Sequence, residues 1–180
     1  MSPALTQDLP FRSIPDYPEE FTEHSVAARM IDALGFRYYW ATESLRPEDL
    51  DYRPSEDARS SYETIEHIYS LSQMLLFAVK QQAQSRSSTE KMGFEELRAA
   101  TLHSLEEASI LLKQSDAEDM GRMNIVFERG ENSSSFPFWN AVNGPLADAL
   151  THVGQLVSFR RASGNPIDPK VSVFLGRRRE

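Results

Sequence analysis

Few side chains in this sequence are equipped for chemistry. Its 180 residues contain four histidines and no cysteine, so a disulfide framework, a thiolate metal site and a cysteine nucleophile are excluded. No glycine-rich phosphate loop or serine nucleophile elbow occurs, since each needs glycines and a nucleophile at fixed spacing. Any metal must therefore be held by histidine and carboxylate. The best pair is Asp148 and His152, because a step of four brings two side chains to one side of a helix, within reach of one ion. The same two residues can equally be bonded to each other in a half-buried structural contact, and the spacing leaves both readings open. His67 lies at the edge of an apolar arc continued by Leu71, Met74 and Ala78; taken alone, a histidine there reads as structural. His103 shares a polar face with Glu96, Glu106 and Glu107, while His24 has no acidic or histidine neighbour at ligand spacing. His103 reads as solvated, and His24 as a surface or cap residue.

Such side chains need elements to hold them, and hydrophobic periodicity supplies four helices. Residues 1–24 carry Pro3, Pro10, Pro15 and Pro18 and are expected to form an extended arm across the helices, because proline restricts its own backbone and the residue before it. A first helix over residues 25–45 has the stripe Met30, Ile31, Leu34, Tyr38, Ala41 and Leu45. Phe36, Tyr39 and Trp40 fall off that stripe, so this helix needs cover from the arm or from a second subunit; a homodimer is the expectation. After a polar connection with two prolines, Ser60 or Ser61 caps a second helix running to about residue 84, with stripe Ile65, Ile68, Ser72, Leu75 and Val79. It carries His67. A polar loop, QSRSSTEK, leads to a third helix from Phe94 to about Ser115. Two short extended pieces around a turn at residues 130–132 predict a hairpin or ordered loop.

The fourth helix, residues 140–162, has the stripe Val142, Leu146, Ala149, Val153 and Leu156 and carries Asp148 and His152. Gly144 and Pro145 start or kink it. Arg160 and Arg161 suit the negative end of its dipole, Gly164 is a natural cap, and Pro166 prevents continuation. The tail, residues 165–180, is expected to lay Val171, Val173 and Phe174 back on the bundle, which itself spans residues 25–164.

Bulk properties narrow the function classes. Hydrophobic residues make up 40% and charged residues 26% of the chain, an ordinary globular composition for one domain with one core. The net charge of -8 repels phosphate backbones, and the basic cluster Arg177, Arg178 and Arg179 is small and terminal, so no nucleic acid partner is expected. No window approaches the roughly 18 apolar residues of a membrane span, and no basic start precedes an apolar run. No membrane association and a cytoplasmic location are expected.

Two segments taken together carry a family resemblance. ETIEHIYSLSQMLL in the second helix and GPLADALTHVGQLVSFRRASGNP in the fourth resemble the DinB-like (DinB/YfiT-like) superfamily, over roughly residues 30–164. The resemblance implies an all-α fold, a DinB-like four-helix bundle with a short hairpin or loop insertion before the last helix. In that family one histidine of the second helix and two histidines four apart on the fourth bind a divalent metal, and Gly-Gln-Leu commonly follows the last. His67 matches the first ligand, and His152, with Gly154, Gln155 and Leu156 after it, matches the last. Asp148 stands where the family has its other histidine. The implied ligand set is His67, Asp148 and His152, for zinc, nickel or iron, with open positions for water or a ligand. Asn140, Asn143 or Gln155 would support the ligands. The resemblance further implies a metal-dependent transferase or isomerase using a low-molecular-weight thiol. The alternative is a non-enzymatic bundle, metal-stabilised or metal-free, acting in ligand binding or association, and Asp148 tilts toward it.

Overall fold

The computed structural model describes residues 8–83, 92–130 and 132–180. Four long helices form the bundle, and two of them begin at side-chain caps that the sequence offers. Thr22 accepts the Ser25 backbone N–H while the Ser25 hydroxyl accepts the Thr22 N–H, starting α1 (Glu23–Thr42) two residues earlier than the periodicity suggests. Ser60 and Glu63 make the same reciprocal pair at the start of α3 (Ser61–Val79), satisfying donors that helix starts otherwise leave orphaned. Both helices stop short of expectation. Ser44 (φ 58°) and Gln81 (φ 54°) take left-handed backbone conformations just past the ends, which turns the chain away although neither is glycine. The polar loop QSRSSTEK lies outside the described residues. Beyond it run α4 (Phe94–Gln114), the short α5 (Ala117–Arg122) and α7 (Ala147–Ala162).

Between α5 and α7 the expected hairpin is present. Strands β1 (Asn124–Arg129) and β2 (Asn132–Pro137) pair antiparallel, with Asn124 opposite Pro137 and Arg129 opposite Asn132. A single turn, α6 (Phe138–Ala141), then passes into a π-helical turn at Val142–Leu146, where Gly144 leaves helical geometry (φ -95°, ψ -106°) and Pro145 has no N–H to give. The fourth bundle helix is therefore broken at its start, and α7 proper begins one residue before Asp148. The polar connection also holds a helix the periodicity missed, α2 (Pro47–Asp51), opened by proline at its first position.

Helix α1 packs on α4, α4 on α3, and α7 closes the bundle against α3 and α1. Ile31, Leu34, Tyr38, Ile65, Ile68, Leu75, Leu102, Leu105, Leu146 and Leu156 are all less than 2% exposed. Burying one such side chain is worth about 1.5–3 kcal/mol, so the stripes read from the sequence supply the main stabilisation. Phe36, Tyr39 and Trp40 are also buried within the one chain. The proline arm contributes this cover: the Trp40 indole donates to the Arg12 carbonyl at 3.2 Å. The Phe11 ring fills the space where a side chain on Gly35 would stand, 2.5 Å from its Cβ position. The rings that prompted the expectation of a second subunit are thus covered within the chain.

The C-terminal tail departs from expectation. Val171 packs against the core, but Val173 is 53% and Phe174 94% exposed. Strands β3 (Val171–Ser172) and β4 (Arg177–Arg178) form a tight hairpin whose turn, with Gly176 at φ 65°, carries Val173 and Phe174 outward. The hairpin is held instead through the Ile14 N–H, which donates to the Gly176 carbonyl at 2.7 Å.

Arg160 also has a different task from the one its position suggests. It is 4% exposed, and its guanidinium donates to the carbonyls of Trp40, Ala41 and Glu43 at 3.0, 3.3 and 2.9 Å, closing the C-terminal end of α1 rather than its own helix. Beside it, buried Asp49 accepts three bonds from Arg46, one of them from its backbone N–H, and one each from Ser163 and Asn165.

Candidate metal centre

The seam between α3 and α7 is where the chemistry gathers. On α3, Ile65 and Ile68 point into the core and leave His67 on the flank; on α7, Ala149, Val153 and Leu156 do the same for Asp148 and His152. Packing the two helices turns those flanks toward each other. Asp148 Oδ2 stands 3.3 Å from His67 Nε2, and Asp148 Oδ1 stands 3.3 Å from His152 Nε2. The imidazole rings meet edge to face with centroids 4.6 Å apart, and one ligand atom from each of the three residues lies within 4.8 Å of the others. The three residues singled out in the sequence are brought together.

The surroundings of His67 favour its neutral imidazole. Burial pushes the His67 pKa below the usual histidine value, helped by the positive charge of Arg59 and only partly offset by Asp148. The His152 side chain is 13% exposed, and its Nδ1 lies 2.8 Å from Gln155 Oε1, an acceptor that suits the tautomer with the proton on Nδ1. In that tautomer Nε2 presents a lone pair toward Asp148. A lone pair facing a carboxylate oxygen calls for a cation between them, either a proton or a metal ion.

The donor set fits such an ion. Two neutral imidazoles and one carboxylate make a recognised site for zinc or iron, with bonds of about 2.0–2.2 Å that separate tetrahedral ligands by about 3.4 Å. Asp148 turns a different oxygen to each imidazole at 3.3 Å, and one ligand atom from each residue lies within 4.8 Å of the others, so the three would draw slightly inward around such an ion. The Asp148 side chain is 47% exposed, and beside it opens a shallow depression lined by Leu71, Asn143, Gly144, Pro145 and Thr151, so the cluster is accessible on one side.

The supporting residues sort unevenly. Gln155 contacts His152 and Asn143 lines the depression, whereas Asn140 is exposed. His103 is exposed on α4 beside Glu106, and His24 lies in the first turn of α1 with Nδ1 buried and unbonded. Neither joins the cluster. Sequence reasoning missed the influence of Arg59, which precedes the α3 cap and belongs to no periodic pattern. The π-helical turn that shapes the depression was signalled by Gly144-Pro145.

Known proteins bear on the fold. No sequence model of a known family matches the chain, and no curated protein matches it. Among solved structures, a DinB-like protein of Bacillus subtilis, YjoA, is similar in fold, with a TM-score of 0.58, 16% sequence identity, and an alignment covering 84% of this chain and 98% of that one. At that identity the likeness establishes architecture: the chain has a DinB-like helical-bundle fold with a His/Asp/His group that could hold a metal ion. No helix among the described residues is long and apolar enough to cross a membrane.

Proposed function

We propose that this chain holds one divalent metal ion through His67, Asp148 and His152, and with it activates a low-molecular-weight thiol for transfer or isomerisation. One observation carries the reading: two imidazole nitrogens and a carboxylate converge within 4.8 Å beside an accessible depression. Zinc, nickel and iron all accept that donor set. A divalent ion there would supply Lewis acidity, lowering the pKa of a thiol or water next to it. The chain's own residues would do the rest. Gln155 holds the His152 tautomer, Leu71 and Pro145 offer an apolar wall to a substrate's carbon skeleton, and Asn143 offers an amide for hydrogen bonding. The DinB-like architecture supports the metal half of the reading by analogy.

The test has two stages. Elemental analysis of untagged protein purified without added metal should give close to one ion per chain, and His67→Ala and His152→Ala should each lose it. Metal-loaded protein should then accelerate the consumption of a small thiol by an aryl chloride, the sulfur bonding to carbon as chloride leaves, and His152→Ala should not. A second reading rests on the same contacts: at 3.3 Å from both imidazoles, Asp148 can accept a hydrogen bond from each, closing a metal-free polar seam in a non-enzymatic bundle. Equal metal affinity in wild type and His152→Ala would decide for that seam.

A further inference from the structure

A second site stands apart from the histidine cluster, on the other side of α7. Helices α1 and α7 run in the same direction, because Arg160 near the end of α7 bonds the carbonyls at the end of α1. Between them lies an open groove of about 580 Å³ walled by Met30, Ala33, Leu150, Val153 and Val157, with Val171 of the tail on its rim. Its charges sit at one end only. Arg37 and Arg161 both line it, near the shared C-terminal end of the two helices. Among the described residues neither has a carboxylate within 4.0 Å; Arg37 reaches only the Ala33 carbonyl of its own helix, at 3.1 Å. The α1 carbonyls that would repel an anion at that end are already bonded to Arg160.

We infer that this groove binds a small amphipathic anion, its carboxylate at Arg37 and Arg161 and its apolar chain along α1 and α7 toward Met30 and Leu150. The trough from Arg37 to Met30 covers seven residues of helix, about 10 Å at 1.5 Å per residue, and its volume lies within the range of small-molecule sites. Gly154 lies on the groove wall, and among the described residues no atom outside its own helix backbone comes within 4 Å of where its Cβ would stand, so a ligand can lie against the helix there.

The probe is decanoate, below its micelle-forming concentration, titrated into the untagged full chain by calorimetry and by the fluorescence of Trp40, which lines the groove. Saturable binding at one per chain is expected, at least tenfold tighter than 1-decanol, which has the tail without the charge. The Arg37→Gln, Arg161→Gln double variant should lose at least tenfold in decanoate affinity and keep its affinity for decanol, while Ala33→Phe should block both. Protein carrying His67→Ala should bind decanoate as wild type does, so this site stands or falls separately from the metal. Absence of saturable binding, or equal decanoate affinity in the double arginine variant, overturns the proposal. So does a dimer in sedimentation that Ala33→Phe disperses and decanoate leaves intact, since a second copy would then fill the groove.

Discussion

Asp148 is the residue on which the candidate centre turns, because it faces both imidazoles at once. Replacing it with histidine keeps a ligand at the position and removes a charge. Asp148→His should therefore retain or strengthen binding of zinc, nickel or copper, whereas Asp148→Ala should lower it sharply; His24→Ala and His103→Ala should leave it unchanged. Titration of metal-free variants checks this, and a loss in His103→Ala equal to that in Asp148→Ala would place the ion elsewhere. Gln155 acts one step further out. Gln155→Leu removes the acceptor that fixes the His152 tautomer and should weaken metal binding by about 10–100-fold without altering the circular dichroism spectrum. Asp148 and His152 were legible in the sequence because a helix converts a step of four into proximity. His67 could be matched to them only through the family resemblance, since nothing local says which helix face will meet another.

Helices were legible as periods, but not at their ends. The stripe of α1 continues to Leu45 in the sequence, yet the helix stops at Thr42 because Ser44 turns left-handed, and no glycine marks the spot. The same holds for Gln81 after α3. What fastens these ends is polar and non-local, and therefore invisible to periodicity. Arg160→Met should cost roughly 3 kcal/mol in urea unfolding, because it leaves the carbonyls of Trp40, Ala41 and Glu43, at and just past the end of α1, without their donor; a cost below about 0.5 kcal/mol would mean that water replaces the guanidinium without loss. Asp49 adds a pH dependence. Its bonds to Arg46, followed by those to Ser163 and Asn165, hold its carboxyl well below the usual carboxylate range. A depressed folded-state pKa stabilises fully above the unfolded value of about 3.9, and the contribution is lost as pH falls toward the folded one. Wild type should thus lose stability below about pH 4 more steeply than Asp49→Asn. Parallel slopes in acid titrations of the two would remove Asp49 from the account.

At the scale of the whole molecule, the bundle follows from four amphipathic segments and one connecting hairpin, and that much could be read in advance. The arm's exact seat could not, because it depends on Phe11 finding the missing side chain of Gly35, a pairing across 24 residues with no sequence signature. Nor could the outward turn of Phe174, which follows from the β3–β4 hairpin. Helix α7 meets polar partners near both its ends: His67 of α3 against its first turns, and the last carbonyls of α1 against its final turn. These two attachments differ in kind. The second is a set of hydrogen bonds between the chain's own guanidinium and carbonyls and needs no bound ion; the first, on the proposed reading, would respond to a cation held among His67, Asp148 and His152. Loading the site would therefore slow amide hydrogen exchange in residues 147–153 and the facing turn of α3, while leaving residues 157–162 unchanged, and equal slowing along all of α7 would show that the helix opens as one unit. The bundle would then behave as a clasp fixed at one end and fastened by an ion at the other.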